Sequence, residues 1–430
     1  MGKPLNIGIA GLGTIGGGTF KLLTEQADII ESRAGRAVRL VAVADPDALR
    51  MKEAGKNGIK CYADALPMAA DEDVDVVIEL IGGSEGIAKK LCEAAIKNAK
   101  HVVTANKALV AHHGTDLAVA AEDAGVSFAY EAAVAGGIPI IKSFREGLAG
   151  NRLTRVYGIL NGTCNYILSA MAEGGREFDD VLKECQELGY AEADPSFDID
   201  GIDTAHKLAI LASVAFGGKV NFGAVHTEGI RHVSLTDMKF ADELGYTIKL
   251  LGVASVRDDG LEQRVHPCMV PSSSPIATVA GSLNAVVAEG DFVDTTVHEG
   301  YGAGAGPTAS AVAADVIDIA RGLQIPTFGI PAVQLKTISP VPMERHVGAY
   351  YVRLMLVDKP GVFADIASAL KDHKVSMESV LQRTRDPGEA VPVVMTLHET
   401  EEAGVLGALA EIEAIDAVVE QPRMIRIENL

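Results

Sequence analysis

The chain has 430 residues, of which 48% are hydrophobic, and a formal net charge of −20. This length predicts two or three domains with large buried cores. Because an acidic chain without a basic stripe does not neutralise phosphates, the charge excludes nucleic acid and anionic membrane surfaces as partners.

The cysteine pattern and the apolar runs indicate the cellular compartment in which the protein is expected. The 5 cysteines are widely spaced and form no Cys-x-x-Cys pair. No signal-peptide pattern precedes the first apolar strand, so we expect a reduced, cytoplasmic setting. A long uncharged run, 265–288, contains three prolines and therefore predicts no membrane helix.

The first elements have the pattern of a dinucleotide-binding unit. An apolar run, Leu5–Ala10, leads into the glycine turn 11–16 and then into a helical pattern. In such a turn the first glycine permits the tight bend, the second lets a pyrophosphate approach, and the third allows close helix packing. A glycine turn without a cofactor is the alternative. We predict that the cofactor is bound by Gly11, Gly13, Thr14, Ile15 and Gly16.

The next strand, Arg39–Ala44, ends at Asp45. A carboxylate at this position accepts hydrogen bonds from an adenosine ribose, which favours NAD. A 2′-phosphate would meet a negative charge there, although Arg50 and Lys52 are near enough in sequence to offset it. An ordinary loop acid is the alternative interpretation.

Further strands alternate with helical stretches up to residue 150. The strands are 74–81, 101–104 and 126–130, and the helices are 87–96 and 109–121. Alternation of this kind indicates an α/β unit with a Rossmann-type parallel sheet, so we assign residues 1–150 to a dinucleotide-binding domain.

Residues 104–107, Thr-Ala-Asn-Lys, follow one of these strands. Ligands of open parallel sheets bind at the carboxyl ends of the strands, so Thr104 and Lys107 are candidates for the cofactor side of a site. Lys107 could meet a carboxylate or a group close to a nicotinamide. A solvated lysine is the alternative.

The segment 131–139, Glu-Ala-Ala-Val-Ala-Gly-Gly-Ile-Pro, follows the strand 126–130. A bent backbone here could turn its carbonyl groups toward a cation, because hard cations prefer oxygen ligands. A plain turn is the alternative interpretation.

A second, α+β domain is predicted over 151–300. The strand Val156–Leu160 is followed by Asn161-Gly162-Thr163-Cys164-Asn165, which opens a helix. Thr163 is a candidate cap whose neighbours offer backbone donors to an anion; capping alone is the alternative.

An acidic stretch, 189–207, carries five carboxylates before a single lysine: Glu192, Asp194, Asp198, Asp200, Asp203 and then Lys207. Apolar residues at helical intervals predict a helix from about Gly201, with Asp203 and Lys207 on one face. A lysine held by a carboxylate can donate a proton or stabilise an alkoxide. The alternative is Asp200 as an N-cap beside a surface ion pair worth ~0.3–0.5 kcal/mol.

The remainder of the chain predicts a return to the first domain and then a third unit. A glycine-rich turn, 301–307, precedes a helix to 323, and Gly306 could close over the cofactor; a flexible connector is the alternative.

The proline-rich segment 324–347 is a predicted linker. Residues 348–430 alternate as β-α-β-β-α-β, the ferredoxin-like order. Their turn 358–362 could hold an amino-acid carboxylate, or the unit could be structural or dimerising.

Taken in order, these segments resemble the homoserine dehydrogenases that end in an ACT domain. The resemblance covers nearly the whole chain and depends on the turn 11–16, the pair 106–107, and the segments 131–139, 161–163 and 189–207. It implies reversible, NAD- or NADP-dependent reduction of aspartate 4-semialdehyde to homoserine, in threonine and methionine biosynthesis. The ACT domain implies feedback inhibition by threonine or a related amino acid.

The resemblance also implies roles for single residues. Lys207 would be the proton donor, Asp203 would position it, and Lys107 would lie between cofactor and substrate. Substrate would be held by Glu192, Asp198, Gly162 and Thr163. A monovalent cation, sodium, would be bound by the carbonyls of Val134, Gly136 and Ile138 beside Glu131.

One departure affects the cofactor. Many relatives carry an arginine beside the strand-end acid, where this chain has Ala44, which favours NAD or use of both cofactors. A homodimer or homotetramer is the family expectation. The alternatives are a catalytically silent, amino-acid-sensing regulatory protein of the same fold, or a Rossmann oxidoreductase that acts on another amino-acid aldehyde.

Overall fold

The computed structural model describes residues 3–189, 192–383 and 389–430. Its strands are β1 Leu5–Ala10, β2 Val38–Ala44, β3 Lys60–Tyr62, β4 Val76–Glu79, β5 His101–Thr104, β6 Phe128–Ala129, β7 Leu153–Ile159, β8 His226–Thr227, β9 Tyr246–Arg257, β10 Gly260–Pro271, β11 Leu283–Gly290, β12 Asp294–Tyr301, β13 Val347–Val357, β14 Met377–Gln382, β15 Ala390–Glu401 and β16 Arg423–Ile427. Its α-helices are α1 Thr14–Glu25, α2 Ala27–Ala34, α3 Lys52–Lys56, α4 Ala65–Ala70, α5 Ile87–Lys97, α6 Lys107–Asp123, α7 Ile140–Lys142, α8 Gly162–Gly174, α9 Phe178–Glu187, α10 Ser196–Ile199, α11 Ile202–Phe216, α12 Leu235–Glu243, α13 Ala305–Arg321, α14 Val362–Asp372 and α15 Glu402–Glu413.

The first sheet is parallel throughout and has the order β3-β2-β1-β4-β5-β6. This order reverses between β1 and β4, as in a dinucleotide-binding fold, and confirms the predicted Rossmann-type sheet. The strand β3 is not predicted from sequence, because it has three residues, two of them exposed, at the edge of the sheet. Such a strand carries no apolar alternation that a pattern could detect.

Glycines set how closely α1 approaches the first turn. Gly11 has φ +89°, and a Cβ atom on Gly16 would lie 1.8 Å from the Gly11 carbonyl oxygen. The helix α13 packs beside α1, since a Cβ atom on Gly18 would lie 2.9 Å from the Cβ atom of Ala305. The chain after β12 therefore returns to the first sheet.

The second sheet has the order β12-β11-β7-β9-β10-β16-β13-β15-β14, and β8 pairs with β10. Within it, β16-β13-β15-β14 forms an antiparallel ferredoxin-like arrangement whose core is shared with α14 and α15. This part of the fold confirms the predicted β-α-β-β-α-β order. The hairpin β11–β12 is not among the predicted strands.

The ferredoxin-like unit continues the sheet of the second unit. Strand β16 pairs with β13 on one side and with β10 on the other, where Cys268 lies opposite Arg426. The guanidinium of Arg426, a residue 2% exposed, donates to Glu402 Oε1 at 2.6 Å and to Glu228 Oε1 at 2.8 Å. The segment 324–347 thus connects two parts of one sheet, and the domain limits given above stay a prediction.

Within the described ranges, none of the helices has both the length and the apolar character needed to cross a membrane. All five cysteines are free thiols, and Cys61 is the exposed one.

The contact between Gly16 and the first turn gives a stability prediction. Gly16→Ala would press a methyl group onto a carbonyl oxygen, so we expect a loss of about 1–3 kcal/mol in the free energy of unfolding and loss of dinucleotide binding. Gly17 lies one position on, and a Cβ atom there would be 3.9 Å from its nearest neighbour. Gly17→Ala should therefore gain about 0.5–1 kcal/mol. Urea unfolding of both variants measures this, and equal effects would contradict it.

Candidate active site

The end of the acidic stretch forms a buried ion pair on α11. This helix begins after Gly201, the N-cap, whose φ is +85°. Asp203 and Lys207 are 1% and 6% exposed, and the Lys207 Nζ atom donates to Asp203 Oδ2 at 2.7 Å and to the Leu160 carbonyl oxygen at 2.7 Å. The predicted helix is confirmed. The alternative interpretation, a surface pair with Asp200 as the cap, is wrong.

Lys107 reaches the same carboxylate from the first sheet. It is the first residue of α6, which Asn106 caps by accepting from the Leu109 N–H at 3.0 Å. The Lys107 Nζ atom lies 2.5 Å from Asp203 Oδ1 and 5.4 Å from the ring centroid of Phe197. Asp203 therefore lies between two ammonium groups that come from different parts of the chain.

The two lysines that contact Asp203 have pKa values shifted in opposite directions. Burial raises the pKa of Asp203, but the Lys207 and Lys107 ammonium groups outweigh it and hold that pKa well below its usual range. Burial lowers the pKa of Lys207, and the charge of Lys107 adds to the lowering. Burial also lowers the pKa of Lys107, but Asp203 outweighs it and raises that pKa overall. Lys207 is thus the better proton donor.

Asn161 joins two carboxylates of the acidic stretch. Its Nδ2 atom donates to Asp198 Oδ1 at 2.7 Å and to Asp203 Oδ2 at 2.8 Å, and its Oδ1 atom caps α8 by accepting from the Cys164 N–H. Burial and the nearby Asp203 charge raise the pKa of Asp198. The prediction that Thr163 is the cap is wrong, because Thr163 lies inside the first turn. An asparagine between a strand and a helix is the signal that could have identified Asn161.

The remaining residues that are predicted to bind substrate differ in how deeply they are buried. Glu192 is exposed, and its charge helps to raise the pKa of Lys107. Gly162 is close to a loop, since a Cβ atom there would lie 2.6 Å from the Ser282 carbonyl oxygen. Thr163 follows it, half-buried. Residues 190–191 of the acidic stretch lie outside the described residues.

The histidine next to Lys207 is neutral. Burial, with a contribution from His112, lowers the pKa of His206 to about 4. Its ring packs 4.3 Å from Phe222 and 5.3 Å from His112, measured between centroids. His206 therefore adds no charge beside the two lysines at neutral pH.

The glycine turn borders a cavity of about 430 Å³. The cavity lining includes Gly11, Gly13, Asp45 and Arg50. Each oxygen of Asp45 accepts one backbone N–H, Oδ2 from Leu12 at 2.7 Å and Oδ1 from Asp47 at 2.8 Å. A carboxylate oxygen has a second lone pair, so Asp45 can still accept from a hydroxyl group. The turn, with Thr14 and Ile15 opening α1, fits a dinucleotide.

Glu79 is a buried carboxylate next to Thr104, and the sequence analysis did not identify it. It is fully buried at the end of β4, where Oε2 accepts from Thr104 Oγ1 at 2.6 Å and Oε1 accepts from the Ile81 and Gly82 N–H groups at 2.8 and 3.0 Å. Thr104 therefore holds the ends of β4 and β5 together. Gly306, the other cofactor candidate, is the second residue of α13, and a Cβ atom there would have open space.

The segment 131–139 is bent as expected. Ala135 and Gly136 have φ values of +52° and +32°. Glu131 is 1% exposed, and its oxygens accept the Ile141 and Lys142 N–H groups at 2.9 Å each. Burial and the neighbouring Asp315 carboxylate raise the pKa of Glu131 to about 7. Lys142 Nζ lies 3.2 Å from Asp315 Oδ1, so two buried carboxyl groups share one nearby ammonium group beside the bent backbone. Val134 and Ile138 are buried in the same segment.

A second group of metal-ligand side chains lies away from these residues. Within the described ranges, His266, Cys268 and Glu428 form the only set of three whose ligand atoms come within 4.8 Å of one another. Arg264 donates to Glu428 from Nη1, and the same atom lies 2.8 Å from His266 Nε2. A guanidinium ion therefore occupies the position that a cation would need.

Family models and known relatives agree with this geometry. Residues 11–131 match the model "Homoserine dehydrogenase, NAD binding domain", residues 139–317 match "Homoserine dehydrogenase", and residues 350–417 match "ACT domain". A homoserine dehydrogenase of Pseudomonas aeruginosa is 45% identical, with 100% of each chain covered. The chain belongs to the homoserine dehydrogenase family. As such it is an oxidoreductase with a dinucleotide-binding domain and a C-terminal ACT domain, and the predicted family is confirmed.

Solved structures of homoserine dehydrogenases share the fold. One from Thiobacillus denitrificans has a TM-score of 0.94 and 46% identity, covering 99% of each chain. A hyperthermophilic archaeal homoserine dehydrogenase in complex with NADPH has a TM-score of 0.64 and 26% identity, covering 75% of this chain and 99% of that chain.

Asn161 gives a test of the site geometry. Asn161→Ser keeps a good helix cap but donates to one carboxylate at most, so we expect kcat/KM to fall about tenfold or more, while the unfolding midpoint stays near that of the parent. Steady-state kinetics and thermal unfolding measure the two effects. Asn57→Ser, at an exposed helix end, is the matched control. Unchanged kcat/KM in Asn161→Ser would rule out a bridging role.

Proposed function

We propose that this homoserine dehydrogenase reduces aspartate 4-semialdehyde reversibly to homoserine at the Lys107, Asp203 and Lys207 site. The observation that supports this is the position of Asp203, 2.5 Å from one ammonium group and 2.7 Å from the other. A catalytically silent regulatory protein would have no use for two lysines buried or half-buried on one carboxylate.

The proton chemistry follows from this arrangement. A bound nicotinamide supplies the hydride. Lys207 uses two of its donors on Asp203 and on the Leu160 carbonyl group, so a third remains for the aldehyde oxygen. Lys107 adds positive charge where negative charge develops on that oxygen, and Asp203 fixes the orientation of both lysines.

Four further residues are proposed to hold the substrate. Asp198 is oriented by the Asn161 amide and faces the same site, so it can accept from the substrate ammonium group or from the new hydroxyl group. Glu192 would contribute a second negative charge at the rim. Gly162 and Thr163 lie in the first turn of α8, and the partial positive charge of this helix N-terminus would attract the substrate carboxylate.

For the cofactor we propose NAD or NADP, with NAD slightly favoured. Asp45 is placed to accept from a ribose hydroxyl group. Arg50 Nη1 lies 3.7 Å from Asp45 Oδ2 and Arg50 Nε lies 3.5 Å from Asp47 Oδ2, so a guanidinium group borders the same cavity and could contact a 2′-phosphate. The NADPH complex of the archaeal relative supports use of the phosphorylated cofactor.

We further propose a structural monovalent cation, sodium, at the carbonyls of Val134, Gly136 and Ile138, near Glu131. The positive φ values at 135 and 136 and the raised pKa of Glu131 support a cation there, because a nearby positive charge would offset the two buried carboxylates.

Regulation, assembly and location are also part of the proposal. The ACT domain supports feedback inhibition by threonine or a related amino acid. We propose a homodimer or homotetramer, as the family resemblance implies. The free cysteines are consistent with a cytoplasmic enzyme.

The proposed proton donor can be tested by substitution. In Lys207→Met, kcat for homoserine oxidation should fall about 10²–10⁴-fold, because general acid–base catalysis is lost while the dinucleotide cavity is unchanged. Initial rates with NAD and with NADP, together with cofactor binding by fluorescence, measure this. Lys183→Met removes an exposed lysine as a control. Failure of the parent protein to oxidise homoserine with either cofactor would refute the proposed function.

The proposed role of Arg50 predicts a change in cofactor preference. In Arg50→Ala, kcat/KM for NADP should fall about tenfold, since a charge-assisted hydrogen bond to phosphate is lost, and kcat/KM for NAD should change little. Arg39→Ala, on the exposed face of β2, is the control. An equal fall with both cofactors would show that Arg50 does not recognise the 2′-phosphate.

A further inference from the structure

Asn284 is a buried amide near the start of β11 that the proposed chemistry does not use. The residue is 1% exposed, and among the described residues neither its Oδ1 atom nor its Nδ2 atom has a hydrogen-bond partner. A buried amide without hydrogen bonds carries a free-energy cost, and such groups are rare in folded proteins. The position of Asn284 therefore calls for a functional reason.

The side chain of Asn284 points to the sheet face that carries the proposed active site. Successive side chains of a strand point to opposite faces. Val286 shares the direction of Asn284 and belongs to the core that includes Leu208 of α11. Val287 points the other way and belongs to a different core with Leu251. Asn284 is thus on the face that α11 covers.

The strand register places Asn284 beside the anchor of the proposed proton donor. Strands β11 and β7 are antiparallel, with Ala285 opposite Ile159. One position on, Asn284 lies level with Leu160, whose carbonyl oxygen accepts from Lys207 at 2.7 Å. The unpaired amide is therefore close to the place where the aldehyde would be reduced.

The amide of Asn284 lies directly against Gly302 in the turn 301–307. A Cβ atom on Gly302 would lie 1.9 Å from Asn284 Nδ2 and 2.6 Å from Oδ1, so this approach requires glycine. Within the described part of the chain, Gly302 and Ala303 form no hydrogen bond with another backbone group. A peptide group presents one N–H donor and one carbonyl acceptor, which complement a primary amide.

The same turn reaches the dinucleotide-binding unit. It leads into α13, where a Cβ atom on Gly18 of α1 would lie 2.9 Å from the Cβ atom of Ala305. The helix α1 begins at the glycine turn that fits a pyrophosphate. The turn 301–307 therefore lies between the predicted cofactor site and the strand ends near Lys207.

We propose that Asn284 is a positioning residue that holds the turn 301–307 against the nicotinamide half of the cofactor. This inference rests on the proposed function, because hydride transfer requires the nicotinamide to lie on the Lys207 side of the site. With the cofactor bound, Asn284 Oδ1 accepts a backbone N–H group of the turn and Nδ2 donates to a backbone carbonyl group. The cost of the unpaired amide is then removed only in the bound state, which favours that state.

The experiment replaces the amide by an apolar group of similar size in the full-length protein. In Asn284→Leu an unpaired buried polar group is lost, so the thermal unfolding midpoint without cofactor should stay the same or rise by about 1–3 °C. Isothermal titration calorimetry should show that Kd for NAD and for NADP rises about tenfold. Kd for ADP-ribose, which lacks the nicotinamide, should change little.

Thr296→Val is the matched control. Thr296 lies on β12 of the same hairpin, and its hydroxyl group is likewise buried with no partner among the described residues. This substitution should leave all three Kd values unchanged. If Asn284→Leu does not fold, Asn284→Ala, which also lacks the amide, takes its place with the same expected Kd values.

The outcomes separate this inference from the proposed function. Weaker NAD binding with unchanged ADP-ribose binding supports the role of Asn284 even if the parent protein fails to oxidise homoserine. A lower unfolding midpoint with unchanged Kd values shows a purely structural role and overturns the inference, and so does an equal loss of affinity for NAD and ADP-ribose. Either result leaves the dehydrogenase proposal in place. Absence of NAD and NADP binding to the parent overturns both.

Discussion

One buried carboxylate organises this protein. Asp203 is 1% exposed and lies between two ammonium groups, so these three side chains together carry a net positive charge. The Asn161 amide donates to Asp203, and the Leu160 carbonyl group accepts from Lys207. Removing either lysine would leave the other paired with Asp203, whereas removing Asp203 would leave two neighbouring ammonium groups without their counter-ion, which is costly in a protein interior. In the proposed reaction the same positive charge would stabilise the developing alkoxide, so the proposed chemistry uses the contacts that hold Asp203 in place.

The fold brings this cluster together from elements that are far apart along the chain. Lys107 begins α6 after β5, Asn161 joins β7 to α8, and Asp203 lies in the first turn of α11. Each residue is at or near a helix N-terminus, where capping fixes the backbone before any side chain is considered. Glu79 then ties the end of β4 to Thr104 at the end of β5, close to Lys107. The rigid strand ends and the capped helices fix the positions of the residues in the site.

The ACT domain is connected to the catalytic part by more than a peptide linker. Pairing of β16 with β10 makes one sheet of the two units, and Arg426 and Glu428 contribute buried ion pairs on the catalytic side. Buried ion pairs need good geometry on both partners. A change of packing in the ACT domain would therefore alter the ion pairs that join it to β10 and β7.

The sequence by itself determined the local features: the glycine turn 11–16, the helix of Asp203 and Lys207, and the β-α-β-β-α-β order of the last unit. These depend on periodicity and on glycine positions within a few residues, which a sequence displays directly. Tertiary structure decided the rest. The bridge by Asn161, the tie between Glu79 and Thr104, and the short strand β3 all depend on partners distant in sequence. Burial, which distinguishes the Asp203–Lys207 pair from a surface ion pair, also comes only from packing, because no local pattern shows what will cover a side chain.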